Sequence, residues 1–214
     1  MTRIKICGIT RPADGVAAAR AGADAIGLVF WDGTPRRVDF DAARAIVAAL
    51  PPMVSVVGLF VDPSAAEVNA ALAAVTLDLL QFHGSESAPF CRTFGRPYLK
   101  AIAVRDGVDL LKCAQAYDDA AGWIFDAHVP GDLPGGTGQR FDWSRLPHGT
   151  ARPLVLSGGL DAANVAQAID QVRPYAVDVS SGVEVQDEAG KPRRGLKDPA
   201  RIDAFVKAVR HADD

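Results

Sequence analysis

The sequence is sparing with cysteine and histidine. Its three cysteines, Cys7, Cys91 and Cys113, lie far apart and form no CxxC. An odd, dispersed set argues against a disulfide scaffold. The four histidines make no HxxxH or HExxH spacing, so no metal site is expected. No apolar run approaches the ~20 residues that span a bilayer. Met1 to Thr10 has no apolar stretch of signal-peptide length. An excess of positive charge is missing too: 23 Lys and Arg face 26 Asp and Glu, a net charge of -3. That balance argues against a nucleic-acid partner held by phosphate contacts. It leaves room for a small anion in a locally positive pocket. What is present is 214 residues, 49% of them hydrophobic, enough for a sizeable core. The expectation is one domain over residues 1–214, cytoplasmic, with no membrane contact.

Short β-branched runs alternate with longer Ala-rich stretches. Strands are predicted over Arg3–Cys7, Asp24–Phe30, Val54–Val61, Asp78–Phe82, Tyr98–Val104, Gly122–Asp126, Pro153–Leu156 and Ala176–Val179. Helices are predicted over Pro12–Ala21, Asp39–Leu50, Ser64–Ala74, Glu86–Phe94, Asp106–Ala116, Asp161–Gln171 and Pro199–His211, with at most one turn near Asp142–Arg145. Ser64 and Glu67 have capping-box spacing, and Asp198-Pro199 opens the last helix. Repeated βα units call for a parallel sheet. Eight of them point to a (βα)8 TIM barrel, with a doubly wound open sheet as the rival. The charged segment Gln186–Arg194 reads as a solvated loop.

In such a barrel the chemistry lies at the C-terminal strand ends. Ser157-Gly158-Gly159 and Ser180-Ser181-Gly182 follow the seventh and eighth strands, where glycine lets backbone N–H groups approach an anion. Gly158, Gly159, Ser180, Ser181 and Gly182 are therefore candidates for binding phosphate. Ordinary turn chemistry is the other reading. Gly135-Gly136-Thr137-Gly138 lacks the GK[ST] ending of a nucleotide loop and reads as a lid or a plain surface loop. Cys7 ends the first strand, and Lys5, two residues back, shares its inward direction. Lys5 either favours the thiolate or is an ion-paired core residue without that effect. Asp126 ends a strand that is otherwise apolar, where a carboxyl would hold its proton; a cap or loop-anchoring Asp is the other reading. A base and an acid across one mouth make a proton-shuttling pair. Arg36 follows Pro35 after the second strand and suits bidentate carboxylate binding. His83 lines the pocket or is a structural histidine.

These residues also form a pattern. Lys5-Ile6-Cys7-Gly8-Ile9-Thr10 resembles the opening signature of the phosphoribosylanthranilate isomerase family of tryptophan biosynthesis. Thr34-Pro35-Arg36, Leu80-Gln81-Phe82-His83-Gly84, Leu156-Ser157-Gly158-Gly159-Leu160 and Val177-Asp178-Val179-Ser180-Ser181-Gly182-Val183-Glu184 follow in the family's order, so the resemblance covers nearly the whole chain. It implies a (βα)8 barrel and an Amadori rearrangement of N-(5-phosphoribosyl)anthranilate, with neither metal nor redox cofactor. By the same resemblance Asp126 is the general acid and Cys7 the general base. Arg36 meets the anthranilate carboxylate, Asp178 and His83 are pocket positions, and the two glycine loops hold the phosphate. The implied partner is one small phosphorylated substrate, met by a monomer. Phe82 stands where an aliphatic residue is more common, and the Val185–Gly195 loop is longer than the family's short link. The related histidine-pathway isomerase would carry an aspartate in place of Cys7, and a silent binding protein would need neither Cys7 nor Asp126.

Overall fold

The computed structural model describes residues 1–127 and 141–213. Eight parallel strands close into a barrel in sequence order. They are β1 (Arg3–Cys7), β2 (Ala25–Val29), β3 (Ser55–Phe60), β4 (Leu79–Phe82), β5 (Tyr98–Val104), β6 (Gly122–Ala127), β7 (Leu154–Leu156) and β8 (Ala176–Val179). Closure pairs β8 with β1, setting Ala176 beside Arg3 and Asp178 beside Lys5. Seven helices pack outside among the described residues: α1 (Pro12–Ala21), α2 (Phe40–Ala49), α3 (Ala65–Ala74), α4 (Ala88–Arg92), α5 (Leu110–Gln115), α6 (Val165–Val172) and α7 (Pro199–Ala212). Between β6 and β7 the described residues carry only a 3-10 turn, Trp143–Arg145. None of these helices is long and apolar enough to cross a membrane.

The period of two along each strand divides the core into two compartments. Ile4, Ile6, Leu80, Phe82, Trp123 and Phe125 face outward into the large layer between strands and helices. Two small groups fill the interior: Ala101, Ile124, Val155 and Ala176 in one, Cys7, Val29, Leu59 and Val61 in the other. Phe82 belongs to the outer layer, where its ring lies 5.9 Å from Phe90 and Phe94 and 6.0 Å from Tyr98. The unusual aromatic is thus absorbed by packing under the helices.

Helix starts depart from the sequence expectation where a polar side chain has other work. Glu86 was expected to open α4. It is instead a buried anchor, accepting from Asp62 N–H at 2.9 Å, from Gly84 N–H at 3.0 Å and from the Lys100 ammonium at 3.0 Å. The helix starts later, capped by Ser87. Asp109 caps α5, and Asp161 closes a turn ahead of α6 by accepting from Ala163 N–H.

The Gln186–Arg194 segment is not a plain loop. Strands β9 (Glu184–Gln186) and β10 (Pro192–Lys197) form an antiparallel hairpin. The Asp187 carboxylate closes its tip by accepting from Ala189 N–H at 3.0 Å and Lys191 N–H at 2.8 Å. Its charges lie at the exposed tip, whereas Glu184, Gly195 and Lys197 at its base are buried. The Gly135–Gly138 cluster, expected as a lid or a plain surface loop, lies outside the described residues.

The capping box ahead of α3 is complete: Ser64 accepts from Glu67 N–H, and Ser64 N–H donates back to the Glu67 carboxylate at 2.7 Å. Ser64→Ala should cost about 1 kcal/mol. Urea unfolding should show it as a lower midpoint at unchanged slope.

Candidate active site

The interior rule decides which polar side chains meet at the C-terminal mouth. Cys7 on β1, His83 just past β4, Asp126 on β6 and Asp178 on β8 all take inward positions. Cys7, Asp126 and Asp178 are buried, and the His83 side chain is one-tenth exposed.

Lys5 lies beneath Cys7. Its ammonium donates to Asp178 Oδ1 at 2.9 Å, with both side chains nearly inaccessible. Burial opposes the Lys5 charge, but Asp178 and Cys7 outweigh it and hold its pKa above the ordinary value. For Cys7 the balance runs the other way. Burial pushes the thiol up, the Lys5 ammonium pulls it down, and the Asp178 carboxylate pushes it up again; the net shift is upward. Both sequence readings of Lys5 thus hold in part. It is an ion-paired core residue, and it also favours the thiolate, yet without overcoming burial. Space for the thiol comes from Gly27 on the next strand. A Cβ there would stand 2.7 Å from Cys7 Sγ and 3.2 Å from Lys5 Cε.

Asp126 is not the carboxyl in apolar surroundings that its strand sequence implied. Trp123 and Phe125 face the outer layer, while Asp126 turns inward to polar partners. His83 Nε2 lies 3.0 Å from Oδ2, and Ala127 N–H donates to Oδ1 at 2.9 Å. On its far side His83 Nδ1 lies 3.0 Å from Gln81 Nε2. Sequence reasoning gave Gln81 no role, although its period-two relation to His83 placed it on the same face.

Arg36 reaches the mouth from the loop after β2, but its fork is engaged within the protein. Nε and Nη2 both donate to Glu184, each at 2.8 Å. Glu184 also accepts from Gly195 N–H at 2.8 Å and from the Lys197 ammonium at 3.2 Å. Burial disfavours the Glu184 charge, but the Arg36 hydrogen bonds and the Lys197 ammonium reverse that and hold its pKa below the usual carboxylate range. Lys197 was not foreseen as a site residue. It is fully buried and donates to Ser180 carbonyl O at 2.9 Å. Burial lowers its pKa, and neighbouring Arg36 adds to the effect against the pull of Glu184.

The two candidate phosphate loops meet. Gly158 and Gly159 adopt φ of +88° and +64°, a region that favours glycine. A Cβ on Gly158 would fall 2.9 Å from Asp126 Oδ1, and one on Gly182 would collide with the Leu160 carbonyl. Ser180 and Ser181 open the 3-10 turn Ser181–Val183. Ser180 Oγ also borders Gly8, where a Cβ would lie 3.2 Å from it and 2.7 Å from Arg36 Cδ. The ends of β1 and β8 and the loop after β2 therefore converge on one small region. Anionic recognition, a raised-pKa thiol and a hydrogen-bonded carboxyl are available there together.

Because its pKa is raised, the Cys7 thiol stays protonated at neutral pH and becomes nucleophilic only as pH climbs through that higher value. Peptide mass spectrometry after brief iodoacetamide treatment should show Cys7 alkylation rising at higher pH than that of a free thiol such as glutathione.

The family model described as N-(5'phosphoribosyl)anthranilate (PRA) isomerase matches residues 4–208. The N-(5'-phosphoribosyl)anthranilate isomerase of Pseudomonas fluorescens is 55% identical, covering 99% of this chain and 97% of its own. The crystal structure of the Thermotoga maritima phosphoribosyl anthranilate isomerase has a TM-score of 0.84 at 36% identity, covering 99% of this chain and 100% of that one. A crystal structure of phosphoribosyl anthranilate isomerase in complex with reduced 1-(o-carboxyphenylamino)-1-deoxyribulose 5-phosphate has a TM-score of 0.81 at 35% identity, with coverage of 99% of this chain and 100% of that one. By fold, by the ordered motifs and by these matches, the chain belongs to the N-(5'-phosphoribosyl)anthranilate isomerase family.

Proposed function

We propose that Cys7 and Asp126 divide the proton transfers of the family's reaction, the Amadori rearrangement of N-(5-phosphoribosyl)anthranilate in tryptophan biosynthesis. The observation that carries this reading is their arrival at one mouth from β1 and β6, Asp126 held by His83 and the Ala127 N–H and Cys7 set above the Lys5–Asp178 ion pair. Asp126 donates a proton to the furanose ring oxygen. The bond from that oxygen to C1 breaks, and the anilino nitrogen lone pair forms the C1–N Schiff base. Cys7, as thiolate, removes the proton from C2. The electron pair moves into a C1–C2 double bond, giving the enolamine, which tautomerises to the 2-ketone.

The remaining groups hold the two anionic ends of the substrate. The loops Gly158-Gly159 and Ser180–Gly182 take the phosphate. Arg36, whose fork is spent on Glu184, offers its positive charge to the anthranilate carboxylate more than a bidentate grip. Asp178 is the counter-ion that keeps Lys5 charged beneath Cys7, and His83 supports Asp126. The reading takes residues 1–214 as one catalytic domain acting as a cytoplasmic monomer. Size-exclusion chromatography with light scattering tests the monomer.

Cys7→Ser and Asp126→Asn should each lower turnover by at least about a hundredfold while far-UV circular dichroism stays unchanged. The assay follows the fluorescence of phosphoribosylanthranilate made in situ. Near-normal decay in either variant removes that residue from the scheme. For the wild type, kcat/KM should climb with pH as the raised Cys7 thiol ionises, with its limb above an ordinary thiol near ~8.5. Glu184→Gln weakens the hold on Arg36 and should raise KM roughly tenfold, with a smaller effect on kcat.

A further inference from the structure

Gln81 occupies an inward position on β4, level with Leu59 on one neighbouring strand and Leu99 on the other. It is completely buried. Its Oε1 has no hydrogen-bond partner among the described residues. An amide with an orphaned carbonyl is an expensive way to fill such a place, since Met has similar bulk and no polar atom to satisfy. The reason for the polarity lies in the one hydrogen bond that the amide makes, from Nε2 to His83 Nδ1 at 3.0 Å.

That bond fixes the protonation of the ring. A neutral imidazole carries one N–H. If Nδ1 accepts from the amide, it holds a lone pair, and the hydrogen sits on Nε2. His83 Nε2 faces Asp126 Oδ2 at 3.0 Å, so the ring donates to the carboxyl. Ala127 N–H donates to the other oxygen at 2.9 Å. Donation then runs one way, from Gln81 through His83 to Asp126. Two donors pin the carboxyl and stabilise the charge that remains when Asp126 releases its proton. In the opposite tautomer a ring lone pair would face that developing charge.

We propose that Gln81 is a positioning residue that locks His83 in its Nε2–H tautomer, so that His83 donates to Asp126. The proposal rests on the reading of Asp126 as the general acid. Its primary test, however, needs no turnover. Long-range 1H–15N correlation spectra of histidine-labelled protein distinguish Nε2–H from Nδ1–H rings, and His83→Asn assigns the His83 signals. The wild type should show His83 as the Nε2–H form. Gln81→Met, which keeps the bulk and loses the donor, should let the Nδ1–H form appear. Gln81→Glu, which replaces the donor with an acceptor, should protonate Nδ1. Both variants should lower kcat about tenfold while KM stays within about threefold, because the carboxyl is misdirected and the binding loops are untouched. Unchanged urea midpoints or circular dichroism would separate this from a folding defect. If either substitution unfolds the chain, the wild-type spectrum still decides. A wild-type His83 in the Nδ1–H or doubly protonated form overturns the proposal, as does a folded Gln81→Met that keeps both the Nε2–H form and full kcat. Failure of the acid reading is seen separately, as normal turnover in Asp126→Asn.

Discussion

The ion pair between Lys5 and Asp178 sits on the seam where β8 closes against β1. Two charges inside a barrel are costly unless each has the other as partner. The closing register supplies this, since Lys5 and Asp178 are direct neighbours across the seam. A slip of one residue in either strand would turn that strand's charge into the apolar outer layer and its outer side chains into the interior. The pair therefore specifies closure as well as occupying it. It also sets the field under Cys7, which feels the cation and the anion together and ends with burial prevailing.

A second buried charge cluster links elements far apart in the chain. Glu184 gathers Arg36 from the loop after β2, Lys197 from the end of the hairpin and the backbone of Gly195. Thr10, just past β1, adds its hydroxyl to the Gly195 carbonyl. Lys197 N–H in turn donates to Asp14 on α1, and its ammonium reaches Ser180 in a candidate phosphate loop. The carboxylate end and the phosphate end of the proposed site thus share one framework. It rests on α1, β1, β8 and the hairpin together, and no single one of them holds it.

Much of this was legible in the sequence because the barrel obeys two simple periods. Arg3–Cys7, Pro12–Ala21, Tyr98–Val104 and Ala176–Val179 have the bounds that pattern and end signals gave. The placement of Cys7, Asp126 and the two glycine loops at the mouth was legible because strand ends in such a barrel point there. What escaped depended on partners remote in sequence. Asp126 looked isolated among apolar residues because its strand neighbours face the other way, and His83, 43 positions earlier, is its actual surrounding. Glu86 was expected at the start of a helix, yet it is held by a lysine on the next strand. The hairpin was hidden because its charged tip dominates the composition while its structural residues, Glu184, Gly195 and Lys197, are few and buried.

That hairpin also separates what can vary from what is held. Asp187 satisfies the turn from within the tip, through Ala189 and Lys191 N–H. Nothing at the tip is asked to support Arg36, Ser180 or α1, which depend only on its base. Chain can therefore be added or removed at the tip at little entropic cost, leaving the charge framework below in register. The tip is thus the part of this segment whose length can change without altering the electrostatics of the mouth.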